Sequence, residues 1–393
     1  MNRLMRVFGV SMVGFLVVVG LPMCSFGFWA DNGNPLCTAM GDQYQSTIAS
    51  DDAGGAIVTW CDSRSGNSDV YAQRIDALGA VRWVANGVAI CTATGNQGYP
   101  TITSDGAGGA IVTWNDWRSG NNDVYAQRID ALGAVQWAAN GVALCTATGD
   151  QVYPMITSDG AGGAIVTWFD RRSGENDVYA QRIDALGVVQ WGTNGVALCA
   201  ATGDQGWPTI TSDGAGGAIV AWYDARSGDD YDVYAQRIDA LGAVQWAANG
   251  VAQCTATGNQ VYPTITSDGA GGAIVAWYDA RSGENDVYAQ RIDALGAVQW
   301  AANGVALCTA TGDQRSPTIT SDGAGGAIVT WYDYRSGNWD IYAQRVNGWG
   351  VVQWAANGVA LCTATGSQYQ PTIALDGAGG VVWIWLESSM FFV

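Results

Sequence analysis

A 54-residue repeat constrains this chain more than any other feature. Seven cysteines mark its phase: Cys37, Cys91, Cys145, Cys199, Cys254, Cys308 and Cys362. Successive marks lie 54 residues apart, except for one interval of 55 where Asp229-Asp230-Tyr231 replaces the usual two loop residues. A unit this short cannot enclose a core, so neighbouring units must stack and bury one another's faces.

The unit is clearest at Thr255–Leu307, where four strand signals occur. Pro263–Ser267 alternates and is β-branched; Asp268-Gly269-Ala270-Gly271-Gly272 turns the chain; Ala273–Tyr278 forms a second strand. The polar stretch Asp279–Asp286 leads to a third, Val287–Ile292. After Asp293-Ala294-Leu295-Gly296, a fourth is expected from Ala297–Trp300 with Gly304–Leu307. No window keeps a helical apolar period. Radial stacking of such units predicts an all-β, seven-bladed β-propeller of four-stranded antiparallel blades. Trp277 and Trp300 and their counterparts in other units are expected to fill the layers between blades.

The phase also reaches the ends. Trp29 precedes Trp60 by the same 31 residues that separate Trp83 from Trp114. An N-terminal strand is therefore expected to complete the last blade and remove its open edge. Beyond Trp385 the seventh unit has only two strands in phase, and Met390–Val393 falls where a loop belongs. The expected organisation is a signal peptide at 1–27 and one propeller domain at 28–393. Its repeats run over 38–91, 92–145, 146–199, 200–254, 255–308 and 309–362, with a partial unit from 363–393 plus 28–37.

Residues 1–27 read as a secretory signal. Arg3 and Arg6 precede the apolar stretch Val7–Leu21, and Ser25-Phe26-Gly27 offers small residues at a cleavage site. Fifteen apolar residues fall short of the ~20 that a spanning helix needs. The expected location is secreted, periplasmic or cell-surface, with no integral span after cleavage, as a monomer. All 17 basic residues are arginine, against 35 acidic ones, and histidine is absent. That balance repels nucleic acid, and the missing histidine excludes His-dependent triads. The phased cysteines sit at equivalent places in successive units, farther apart than the roughly 4.4–6.8 Å between Cα atoms that a disulfide needs. They are expected to be small buried groups.

Comparison of the units with one another locates their variation. The units at 146–198 and 255–307 differ at only eight of 53 positions, and the two glycine-rich turns barely change. Departures gather at the pair following Asp/Asn-Gln, as at Gly206-Trp207, and in the loop between strands two and three. In an up-and-down blade both places lie on one face. Loops on a rigid scaffold are where binding resides. The candidate ligand-binding residues are Trp117, Tyr153, Arg171, Trp207, Tyr231, Tyr262, Arg315 and Trp339. Asp229, Asp230 and Asp232 put three carboxylates within four residues, a donor set that suits calcium; no other cofactor is expected. The recurring Asp-x-Arg, as in Asp170 and Arg172, reads as a structural ion pair.

Ser212, Asp213, Gly214, Gly216, Gly217 and Trp222 resemble the Asp-box (BNR) hairpin of sialidase-like propellers. The longer pattern, from Gly-Asp-Gln through Asp-Val-Tyr-Ala-Gln-Arg to Gly-x-x-x-Trp, is similar to repeats of large secreted bacterial proteins. Both resemblances imply a propeller. The arginine triad, Tyr/Glu pair and acidic Asp of sialidases find no unique positions in these repeats. Near-identical units also offer several equivalent surfaces, which suits multivalent binding. The pattern favours a non-catalytic binding or scaffold protein for protein or glycan ligands. A sialidase-like or other glycoside hydrolase is the alternative, and a purely structural surface protein the third.

Overall fold

The computed structural model describes residues 6–8, 33–228, 230–375 and 381–388. It is all-β, a propeller of six four-stranded antiparallel sheets and one three-stranded sheet. The six complete blades run from Gln43–Ser50 to Val359–Cys362, with strands in sequence order. In blade five the strands are Gln260–Ser267, Ala273–Asp279, Asp286–Ile292 and Val305–Cys308. The fourth strand is shorter than the sequence pattern suggests. Val298 makes only an isolated bridge to Ile292, because Trp300 leaves the sheet to wedge against the next blade. The first strand is longer, beginning three residues before Pro263.

The core lies between blades, as the spacing of the tryptophans requires. Trp246 and Cys254 of blade four pack with Ile265, Val275 and Trp277 of blade five, and the pattern repeats one blade on with Trp300 and Trp331. Trp114, Trp168, Trp222, Trp277 and Trp331 are fully buried. Gly296 accommodates this packing: a Cβ there would meet Trp246 Cδ1 at 2.7 Å.

Two arginines per unit link blades. In the turn between strands one and two, Asp268 Oδ1 accepts from the backbone of Ala270 and Gly272. Its Oδ2 pairs with Arg291 at 2.9 Å, and Arg291 Nη1 donates to Gly348 O of blade six at 3.1 Å. At the other end of the blade, buried Asp279 accepts from Trp277 Nε1 at 2.9 Å and from Arg281 Nε at 2.9 Å. Arg281 lies 3.9 Å over the Tyr288 ring and donates to Cys254 Sγ of the preceding blade at 3.1 Å. The Asp-x-Arg motif is thus used up in structure. The cysteines with described surroundings are free thiols.

The seventh sheet orders its strands Arg6–Phe8, Val381–Ser388, Ser367–Leu375, with Val7 opposite Ile384. Arg6–Phe8 thus lies beside the second strand of this sheet, while the segment around Trp29, expected as its outermost strand, lies mostly outside the described residues. Residues 28–32 lie outside the described residues, and 33–37 form no strand. Cys37 nevertheless accepts from Arg64 Nη2 at 3.2 Å, as Cys91 does from Arg118, and Thr38 N donates to Asn86 Oδ1 as Thr92 N does to Asn140. Residues 37–38 therefore stand beside blade one where the outer end of each blade stands beside the next. Arg345 marks the incomplete sheet from the other side: its side chain is 39% exposed, against 21% for Arg291.

Candidate functional site

The first strands line the axis: Thr47 Oγ1 of blade one reaches Pro100 O of blade two at 3.0 Å, and Thr101 reaches Pro154 O likewise. Each first strand carries a β-bulge near its start. In blade five Val261 pairs Tyr278, but the next pair is Thr264 with Ala276, so two residues oppose one. The bulged residue is left-handed in every blade: Gln45, Tyr99, Tyr153, Trp207, Tyr262, Ser316 and Gln370 have φ between 48° and 54°. A non-glycine residue there costs on the order of 1–3 kcal/mol and persists only where its surroundings hold it. The neighbouring ladder on both sides supplies that hold, and in six blades the following residue is proline.

The bulge brings rings from successive blades together. Tyr99 and Tyr153 centroids are 4.5 Å apart, Tyr153 and Trp207 5.2 Å, and Trp207 and Tyr262 5.1 Å. Beneath them stand the residues that follow the buried tryptophan on strand two. Phe169 lies 5.2 Å from Tyr153, Tyr223 6.1 Å from Trp207, and Tyr278 5.3 Å from Tyr262. Farther round, Tyr332 contacts Trp339 at 4.8 Å and Tyr369 at 6.2 Å, and its hydroxyl accepts from Ser316. The result is an arc of aromatic side chains around the channel mouth, on the face of the loops between strands two and three.

Five of the eight candidates meet on this arc or touch it. Tyr153, Trp207 and Tyr262 form its rim, Tyr231 abuts Tyr223 at 4.8 Å, and Trp339 joins Tyr332. Arg315 lies 5.9 Å over Trp339 and pairs with Asp313 at 2.7 Å. Arg171 is exposed, donates to Asn176 Oδ1 at 2.7 Å, and acts electrostatically on the Tyr153 phenol. Among arginines whose side chains are described, Arg171 alone has no carboxylate partner. Trp117 stands apart, 45% exposed and without a ring partner among the described residues. Of the calcium candidates, Asp229 lies outside the described residues. Asp230 accepts from Gly258 N at 3.0 Å, and Asp232 is buried. No group of three potential ligands assembles among the described residues.

Sequence reasoning left Tyr99, Phe169, Tyr223, Tyr278 and Tyr332 off the candidate set. All sit at positions where the units differ; for Tyr99 the aromatic-proline pair at the bulge was a further signal. Variable positions from several blades meet around one mouth.

The phenols here stay protonated at neutral pH. A hydrogen bond with Tyr99, aided by burial, pushes Tyr153 up to about 12, and burial pushes Tyr223 up to about 12. Burial raises Tyr278 further. Below the rim is a cavity of about 350 Å³, lined by first-strand residues of blades three to seven, from Met155 to Thr372. A larger groove of about 560 Å³ lies on the opposite face, between blades one and two. Its charges are already paired, Asp51 with Arg74 and Asp76 with Arg82, so it offers little free chemistry.

No protein-family model and no curated protein sequence matches the chain. Solved structures do share the fold. The polysaccharide lyase Uly1 superposes with a TM-score of 0.54 at 9% identity, over 92% of this chain and 92% of its own. An ulvan lyase of polysaccharide lyase family PL25, bound to -[GlcA(1-4)Rha3S]-, gives 0.52 at 10% identity, over 85% of this chain and 88% of its own. The Hadza microbial sialidase Hz136 gives 0.40 at 10% identity, over 75% and 63%. Among the described residues no helix is long and apolar enough to cross a membrane.

Proposed function

We propose that this protein is a secreted or cell-surface propeller that binds a polysaccharide at the aromatic arc around its channel mouth. The carrying observation is the set of rings from successive blades, held at the rim by left-handed bulges, with Trp207 and Tyr262 each 40% exposed. Sugar rings present apolar C–H faces that pack on aromatic planes, and their hydroxyls need donors and acceptors beside those planes. The arc supplies the planes, and Ser316 and Gln370 supply polar groups in the same circuit. Binding without turnover is the reading we favour, since the arc's phenols Tyr153 and Tyr223 are held protonated.

The fold is shared with lyases that act on polysaccharides, so ulvan belongs in the first panel, alongside a neutral glucan such as laminarin. Retardation in affinity gels containing each polymer is expected for the wild type and is lost in Trp207→Ala. Equal migration with and without polymer would overturn the reading. Release of unsaturated or reducing ends during the same incubation would make the arc part of a catalytic site instead.

A further inference from the structure

The geometry points to the cavity beneath the aromatic rim as a seat for the end of a glycan chain, so that this protein recognises chain termini rather than polymer interiors. The inference rests on the glycan reading above and adds where the ligand goes.

In blades one and two, the hydroxyls of Thr47 and Thr101 donate sideways to the next blade, at 3.0 Å each. Thr318 is satisfied by Thr330 at 2.8 Å. Thr209 and Thr264 also line the cavity, and their hydroxyls have no partner among the described residues. Among the described residues the sideways stitching therefore stops after blade two, and in blades four and five, below Trp207 and Tyr262, it leaves the threonine hydroxyls facing the cavity. Met155 stands where each of the other units has threonine, giving the same cavity one apolar wall.

The rim above is equally lopsided. Its bulge positions are aromatic in blades two to five, then Ser316 and Gln370 in blades six and seven. An apolar half and a hydrogen-bonding half suit a sugar ring, which has an apolar face and a hydroxyl edge. A volume of about 350 Å³ is at the low end of ligand pockets, with room for about one or two sugar rings. A polymer lying across the mouth would touch the rings and leave the hydroxyls beneath them unused. A chain end can turn down the axis and use both.

The test is isothermal titration of the full chain with ulvan and laminarin, each intact and partly hydrolysed to short oligomers. For any polymer that binds, end recognition predicts that sites per gram rise in proportion to chain ends, at unchanged affinity per site. Interior recognition predicts sites per gram that do not rise and an affinity that falls as chains shorten; that result overturns the inference. Thr264→Val is expected to weaken oligomer binding about three- to tenfold. Met155→Trp, which fills the cavity, is expected to abolish it, with thermal unfolding as the check on folding. If Trp207→Ala loses binding while both cavity variants bind as the wild type does, the chain-end seat is wrong and the glycan surface stands. If Trp207→Ala also binds normally, or neither polymer binds, both fail together.

Discussion

Tyr153 and Trp207 stack with centroids 5.2 Å apart and planes 26° from parallel, although they belong to different blades. They occupy the same place in adjacent units, and each is left-handed. The contact exists because the bulge repeats with the unit while its side chain is free to vary. That is how a nearly uniform array brings different side chains together at one mouth.

Arg171 should set the ionic character of that site. It is the described guanidinium without a carboxylate partner, and it lies close enough to Tyr153 to act on its phenol. Arg171→Gln should lower affinity for an acidic polysaccharide several-fold and flatten its salt dependence, while leaving a neutral one unchanged. Titrations at low and high salt measure both effects.

The buried Asp-x-Arg pairs should matter for folding and not for binding. Asp116 accepts from Trp114 Nε1 at 2.8 Å and from Arg118, and its side chain is fully buried. Asp116→Ala leaves Arg118 without its counter-ion, which costs about 3–5 kcal/mol. Chemical denaturation of the variant should show that loss.

Stability should fall from mildly acidic towards neutral pH. Burial pushes up the carboxyls of Asp69, Asp123, Asp177, Asp232 and Asp286. With folded values above unfolded ones, their contribution is fully present below the unfolded value near 3.8 and is lost as pH rises through the folded values. Asp51 and Asp322 act in the opposite sense. Burial raises them, but backbone and arginine hydrogen bonds together outweigh it and hold them low. Their contribution is lost as pH falls below the usual carboxylate range, which sets the acid limit. Unfolding temperature should therefore fall as pH rises from just above the ordinary carboxylate range towards neutrality. Asp123→Asn, which keeps a neutral side chain at that place, should flatten this decline.

The phased thiols should be inert. Burial pushes Cys91, Cys145, Cys199, Cys254 and Cys308 up to about 12, and thiolate is the reactive form. Iodoacetamide at about pH 8 should label them only after denaturant is added, as read by mass spectrometry.

The fold was legible because its signals are local. The period, turn glycines and strand alternation each reflect one unit, and the spacing of the tryptophans requires the inter-blade core. The site was half legible. Variation marked Trp207 and Tyr262, but Tyr223 and Tyr278 follow a buried tryptophan and read as ordinary strand residues. Their role depends on the ring that the bulge swings over them, a long-range relationship. Trp117 shows the converse: it varies and is aromatic, yet stands away from the arc. At the ends, phase alone could not reveal that Arg6–Phe8 pairs with Val381–Ser388.

The most direct measurement is isothermal titration of short ulvan and laminarin oligomers into the wild type and a Trp207→Ala, Tyr262→Ala double variant. Both side chains are substantially exposed, so the variant should unfold at nearly the wild-type temperature. The account predicts saturable binding of at least one oligomer to the wild type and an affinity at least ~30-fold lower in the variant. Equal affinities in two folded proteins would contradict it.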